Sequence, residues 1–186
     1  SLPWHIRTAD ALREFVEGYR HSDFGMIMWG TGGGDLTFYP TTKVGRFYVS
    51  ADAPSPSAGD KRILDDHNAL AEAGVPNPFE VVLKHCHEIG LEFHLYYRLA
   101  LADCRHPVAS SSGETFWLKQ HPECRMLAKD GTPMGLASYA FPQVREFMLS
   151  LIEEGMRYDI DGVNLCLIRG PEYFGYEQPI IDDFKK

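Results

Sequence analysis

The sequence predicts an α/β fold of the parallel (β/α)-barrel type, on the strength of three observations. Helical and strand segments alternate along the chain, the strand segments are short apolar runs, and glycine or polar loops bound them. Alternation of this kind requires crossover connections, which join parallel strands. With 186 residues the chain falls short of the roughly 250 of a complete barrel. We therefore expect a single domain over 1–186 that forms the N-terminal half of a barrel, with about four strands.

The helices follow from their caps and their apolar stripes. Thr8 is a good N-cap, and the apolar residues that follow it recur at helical spacing. Asn77 caps the clearest helix, with proline at its first position and glycine at its end. Pro142 opens the last. Helices are predicted over 8–20, 60–74, 77–90 and 142–155.

The strands are predicted between these helices, over 24–29, 91–97 and 161–168, with residues 1–6 as the tail of a first strand. A doubly wound sheet is the alternative, but no G-x-G-x-x-G lies between a strand and a helix, which disfavours a dinucleotide site. Residues 102–137 read as an irregular insertion with a helical turn or two near 115–120. Insertions of this length in a compact domain are usually functional or disordered.

Composition narrows the classes of partner. The net charge of −8 and the lack of a basic patch exclude nucleic acid and an anionic membrane surface, and favour a neutral or cationic small ligand. No apolar run could span a membrane, and no signal peptide is visible, so the compartment stays open. No cofactor is indicated. The cysteines lack C-x-x-C spacing, so free thiols are expected, with a Cys104–Cys124 disulfide as the alternative.

A metal centre is not expected. His85 and His87 point about 200° apart on a helix and cannot chelate one ion together. His121 and Glu123 flank a proline, and two ligands do not make a site.

Candidate substrate-binding residues lie where strands end, because parallel barrels build their active sites at the carboxyl ends of the strands. Arg169 is a candidate clamp for a sugar, or else the partner of an acidic residue just before the strand. Arg98 is likewise either a clamp or a structural ion pair. The substrate-binding candidates are Trp29, Asp35, Tyr97, Arg98, Asn164, Arg169 and Tyr173.

The second half of the chain resembles a known family. The matching segments are HPE at 121–123, DG at 130–131, SYAFPQVREFMLSLIEEG at 138–155 and YDIDGVNLCLIRGP at 158–171. FYPT at 38–41 and HLYYR at 94–98 fit less well. Together these segments resemble the glycosyl-hydrolase-like barrel proteins of bacterial polysaccharide-degrading systems. The resemblance implies a glycoside hydrolase fold, a periplasmic or extracellular location, and a carboxylate on strand four where this chain has Cys166.

That cysteine bears on the reaction. Period two puts Asn164 and Cys166 on one face of the strand, toward the barrel interior. Glycosidases usually need two carboxylates, and a thiol does not replace one. Glu172 and Glu177, in the following loop, are candidate general acids if burial raises their pKa, or else solvated loop carboxylates.

The catalytic candidates are therefore Cys166, Glu172 and Glu177. Two hypotheses stay open: a glycoside hydrolase, and a catalytically degenerate barrel that binds a carbohydrate without turnover. A metal-dependent hydrolase barrel would need clustered ligands at strand ends, which are not found. Four strands would also leave open sheet edges, so self-association through them is expected.

Overall fold

The fold is described here from a computed structural model. It describes residues 6–33, 36–37, 39–41, 46–47, 58–99, 104–107, 116–166 and 174–186. The predicted tail of a first strand, at residues 1–6, lies almost wholly outside the described residues, as do the candidates Asp35, Arg169, Glu172 and Tyr173.

Six helices are found in the described part of the chain. The predicted cap at Thr8 is confirmed, because its hydroxyl accepts a hydrogen bond from the Ala11 amide at 3.2 Å. The final helix was not predicted. The helices are α1 (Ala9–Glu17), α2 (Ala58–Glu72), α3 (Pro78–Glu88), α4 (Phe116–Gln120), α5 (Pro142–Gly155) and α6 (Gln178–Phe184).

The described strands form two kinds of sheet. They are β1 (Met26–Gly33), β2 (Leu36–Thr37), β3 (Arg46–Phe47), β4 (Glu92–Arg98), β5 (Cys104–Pro107), β6 (Arg125–Leu127), β7 (Pro133–Ala137) and β8 (Gly162–Cys166). β1, β4 and β8 form a parallel sheet with β4 in the centre, and β2 pairs with β3, also in parallel. The predicted parallel α/β fold is therefore confirmed, while closure into a barrel stays a prediction.

One face of the parallel sheet carries the helices. Along β4 the side chains alternate between buried and partly exposed. Phe93 packs edge-on against Phe79 of α3, with ring centroids 5.1 Å apart. Tyr97, on the same face, donates a hydrogen bond to the Leu151 carbonyl of α5 at 3.2 Å. Both crossover helices thus cover one side of the sheet, and the core lies between them and the strands.

A pair of tyrosine hydroxyls lies within this core. The Tyr39 and Tyr97 hydroxyls are 2.9 Å apart, and that of Tyr39 also donates to the Leu151 carbonyl at 2.8 Å. Gly155 at the end of α5 makes room for them, because a Cβ there would lie 2.2 Å from the Tyr97 hydroxyl. Burial raises the pKa of both phenols, that of Tyr97 to about 12.

The expectation that residues 102–137 are irregular was wrong for the described residues, whereas the helical turn expected near 115–120 is confirmed by α4. β5, β7 and β6 form a small antiparallel sheet between β4 and α5. The β6–β7 turn is closed by Asp130, which accepts from the Thr132 amide at 2.9 Å, and by Gly131 at φ +83°. Trp117 of α4 stacks on Phe147 of α5 at 4.9 Å and ties the insertion to the helix layer. Cys124 in this insertion is a free thiol.

Candidate functional site

The candidate site lies on the side of the parallel sheet opposite α3 and α5, which we call the inner face. Residues in register on neighbouring strands of a parallel sheet share a face, so the register defines its members. They are Met26, Met28 and Gly30 of β1, Glu92, His94, Tyr96 and Arg98 of β4, and Gly162, Asn164 and Cys166 of β8.

His94 is held between an amide and a carboxylate. Its Nδ1 lies 3.1 Å from the Asn164 side-chain nitrogen, and its Nε2 lies 3.0 Å from a Glu92 oxygen. Because an amide nitrogen only donates, this network assigns the imidazole proton to Nε2, which donates to Glu92. Gly162 gives the ring its space, since a Cβ there would lie 2.5 Å from His94 Cε1.

Cys166 ends β8 next to the phenol of Tyr96. The Tyr96 hydroxyl donates to Cys166 Sγ at 2.6 Å, and the thiol residue is 8% exposed. A backbone hydrogen bond connects the ends of the two strands, because the Leu99 amide after β4 donates to the Cys166 carbonyl of β8 at 3.0 Å. Arg98 is in register with Cys166. The carboxyl ends of β4 and β8 thus bring a guanidinium, a phenol, an amide and a thiol to one face.

Two candidates from the sequence lie on the opposite face. Trp29 is in register with Leu95, and its ring lies 6.1 Å from that of Phe93 in the helix-covered core. Its indole Nε1 is buried and has no hydrogen-bond partner in the described part of the chain. The Tyr97 hydroxyl is hydrogen-bonded to α5 in the same core. Since strand neighbours face opposite ways, Tyr97 and Arg98 cannot share a site on one face.

Glu177 lies in a different place from the inner face. It precedes α6, it is 1% exposed, and it forms part of the wall of a cavity of about 690 Å³. The cavity is formed by the insertion after β4 and the segment after β8. No described residue of the parallel sheet lines it.

His94 and Tyr96 were not among the site residues predicted from the sequence. A histidine on a strand is usually a hydrogen-bonded core residue, so the sequence alone did not indicate a role for His94 in a site. The available signal was period two, because both residues alternate with the buried face of β4 and share a face with Arg98.

Two negative findings apply to the described residues. They contain no group of three or more His, Cys, Asp or Glu side chains able to hold a metal ion. No helix among them has both the length and the apolar character needed to cross a membrane.

No protein-family model and no curated protein matches the chain. Among solved structures it is similar to a noncanonical maltogenic α-amylase from Thermotoga neapolitana, with a TM-score of 0.48 and 15% identity over 87% of this chain and 36% of that chain. It is also similar to the galactosidase domain of an α-galactosidase–sucrose kinase, with a TM-score of 0.46 and 14% identity over 86% of this chain and 19% of that chain. The chain thus spans about a third and a fifth of these two proteins.

Proposed function

We propose that this chain binds a neutral carbohydrate on its inner face, at the carboxyl ends of β4 and β8, and does not hydrolyse it. The observation that carries the proposal is the cluster of Tyr96, Arg98, Asn164 and Cys166 at those ends, next to His94. Sugar hydroxyls both donate and accept hydrogen bonds. Amides and phenols do the same, and a guanidinium adds donors in a fixed plane.

The charges on this face are compatible with a neutral ligand. Glu92 lies toward the amino end of β4 and its carboxylate is engaged by His94. Arg98 is the charged side chain nearest the carboxyl end among the described residues of the inner face. A single guanidinium can bind a hydroxyl pair, and it does not need a formal anion to do so.

The absence of turnover is proposed from the carboxylates. A retaining glycosidase places its pair about 5 Å apart, and an inverting one roughly 6.5–9.5 Å apart. Among the described residues of the inner face the only carboxylate is Glu92, which pairs with His94. The thiol of Cys166 stands where the resemblance implies the family carboxylate.

Binding is tested with Asn164→Ala, titrated calorimetrically with short malto-, cello- and galacto-oligosaccharides. Loss of an amide that contacts the sugar is expected to weaken binding by about tenfold, which corresponds to roughly 1.4 kcal/mol. Asn68→Ala is the matched control, because Asn68 is exposed on α2 and is not part of the sheet. Equal affinities of Asn164→Ala and wild type would contradict the site, provided that both show the same cooperative melt.

Hydrolysis is tested separately at Cys166. Wild-type protein is expected to release no aglycone from aryl glycosides, whereas Cys166→Asp restores the carboxylate that the resemblance implies. Cys166→Ser is the control, since it changes the side chain without adding charge. Turnover by the aspartate variant alone would support a degenerate glycosidase, and turnover by wild type would contradict the proposal.

A further inference from the structure

We propose that the cavity between the insertion and the segment before α6 is a second carbohydrate site, in which sugar hydroxyls donate to the carboxylate of Glu177. This inference goes beyond the proposed function, because the cavity shares no described residue with the inner face. Its volume of about 690 Å³ is in the range of small-molecule sites, roughly 300–1,000 Å³.

The central observation is an unpaired buried carboxylate. Both Glu177 oxygens are enclosed and have no hydrogen-bond partner in the described part of the chain. A carboxyl group that has no hydrogen-bond partner is costly to bury. The protein therefore contains acceptors that nothing in its own described structure satisfies, in the wall of a cavity large enough for a ligand.

The cover over this carboxylate is main chain. A Cβ on Gly175 would lie 2.5 Å from Glu177 Oε2 and 2.7 Å from Oε1, so the glycine backbone passes directly against both oxygens. The Tyr176 amide donates to the Leu127 carbonyl of β6 at 2.9 Å, which joins this segment to the insertion. Because both oxygens are covered in this structure, the proposal requires residues 174–176 to move before a ligand hydroxyl can reach Glu177.

The remaining wall argues for a neutral ligand. Lys119 and Arg125 oppose a cation, while Glu123 and Glu177 oppose an anion. Phe141 and three prolines add apolar surface, against which the C–H faces of a pyranose ring can pack. A neutral molecule rich in hydroxyl donors meets both conditions, and an oligosaccharide is the class that does so.

The main test is Glu177→Gln in the full chain. Because the substitution replaces an unpaired buried carboxyl group with an amide of nearly the same shape, the unliganded variant is expected to melt no lower than wild type. The same variant is expected to lose at least tenfold in affinity for one of two calorimetric sites for the short oligosaccharides named above. Glu153→Gln makes the same chemical change at an exposed position of α5 and is expected to alter neither quantity.

Several results would overturn the second site. Unchanged affinity of Glu177→Gln would do so. A wild-type stoichiometry of one, with binding abolished by Asn164→Ala, would also overturn the second site, but it would leave the proposed function intact. Binding of putrescine but of none of the sugars would overturn the choice of ligand. If Glu177→Gln does not fold, Lys119→Ala on the exposed rim replaces it, with a weaker second site expected and an unchanged one refuting the proposal.

Discussion

Replacement of Gly162 by alanine tests the geometry of the inner face most directly. The new Cβ would lie 2.5 Å from His94 Cε1 and 2.6 Å from Nδ1, whereas ordinary contact begins at 3.4 Å. The imidazole must therefore move by about 0.9 Å, which stretches its hydrogen bonds to Asn164 and Glu92. Overpacking of this size costs about 1–3 kcal/mol, so we expect the free energy of unfolding to fall by about 2 kcal/mol.

The assay is urea unfolding, read as a change in midpoint at constant m-value. Gly30→Ala is the control, because Gly30 is also a strand glycine of the inner face but has nothing within 4 Å of its added Cβ. Its replacement is expected to be neutral or to stabilise by up to about 1 kcal/mol.

A double-mutant cycle makes the cause specific. In a His94→Ala background the clash is gone, so Gly162→Ala should cost less than about 0.5 kcal/mol, and the coupling between the two positions should exceed 1 kcal/mol. If Gly162→Ala is neutral in wild type, or equally harmful with and without His94, the placement of the imidazole against β8 is wrong.

Four further predictions concern stability. Tyr97→Phe should cost about 1 kcal/mol at neutral pH without changing sugar affinity; a calorimetric loss of binding would contradict its place in the core. Burial raises the pKa of Tyr97 to about 12, above the roughly 10 of an unfolded tyrosine. The stability that Tyr97 contributes should therefore hold below about pH 10 and fall by up to about 1.4 kcal/mol per pH unit between about 10 and 12, so that wild-type stability falls more steeply over that range than the stability of Tyr97→Phe. Hydrogen bonds from the Phe93 amide and then from His87 lower the pKa of Asp161, so stability is lost as pH falls through that lowered value, and urea midpoints of Asp161→Asn should depend less on acid pH. Gly155→Ala should lower the melting temperature through a cost of about 2 kcal/mol, because its Cβ meets the Tyr97 hydroxyl, and an unchanged melt would refute that contact.

The sequence predicted the parts of the fold that have their own periodicity. The helix over Pro142–Gly155 was predicted with the same bounds, because its proline and its apolar stripe are local signals. Strand boundaries differed from the prediction by one or two residues, and by four at the end of Met26–Gly33, because a continuous apolar run does not mark its own ends. The helix Ala58–Glu72 begins two residues before the predicted cap at Asp60.

The antiparallel sheet in the insertion had no comparable signal. Cys104–Pro107 and Arg125–Leu127 are four and three residues long, too short to show alternation. Both pair with Pro133–Ala137, which is distant in sequence from Cys104–Pro107 and close to Arg125–Leu127. Such pairing depends on tertiary packing, which local propensity does not record.

Within the site, period two predicted which residues share a face, and it could not predict which face meets the helices. Asn164 and Cys166 do share a face, as the alternation indicates. The strand that contains Trp29 was predicted, but only its register with Leu95 shows which face of the sheet Trp29 lies on. The helices pack against the more apolar face of β4. This packing buries Tyr97 and leaves Arg98 on the inner face.

The buried polar groups without partners differ in how strongly they support a ligand site. In the described part of the chain they are the Trp29 indole nitrogen, the Asn77 amide oxygen and the Glu177 carboxylate. An unpaired neutral group costs about 1–3 kcal/mol, which a folded domain can tolerate, and Asn77 still donates to the Tyr158 hydroxyl. An unpaired carboxylate costs more and has two acceptors to satisfy. Of the three, only Glu177 combines that larger penalty with a place in a cavity wall, and a residue that opposes folding is best explained by what it binds.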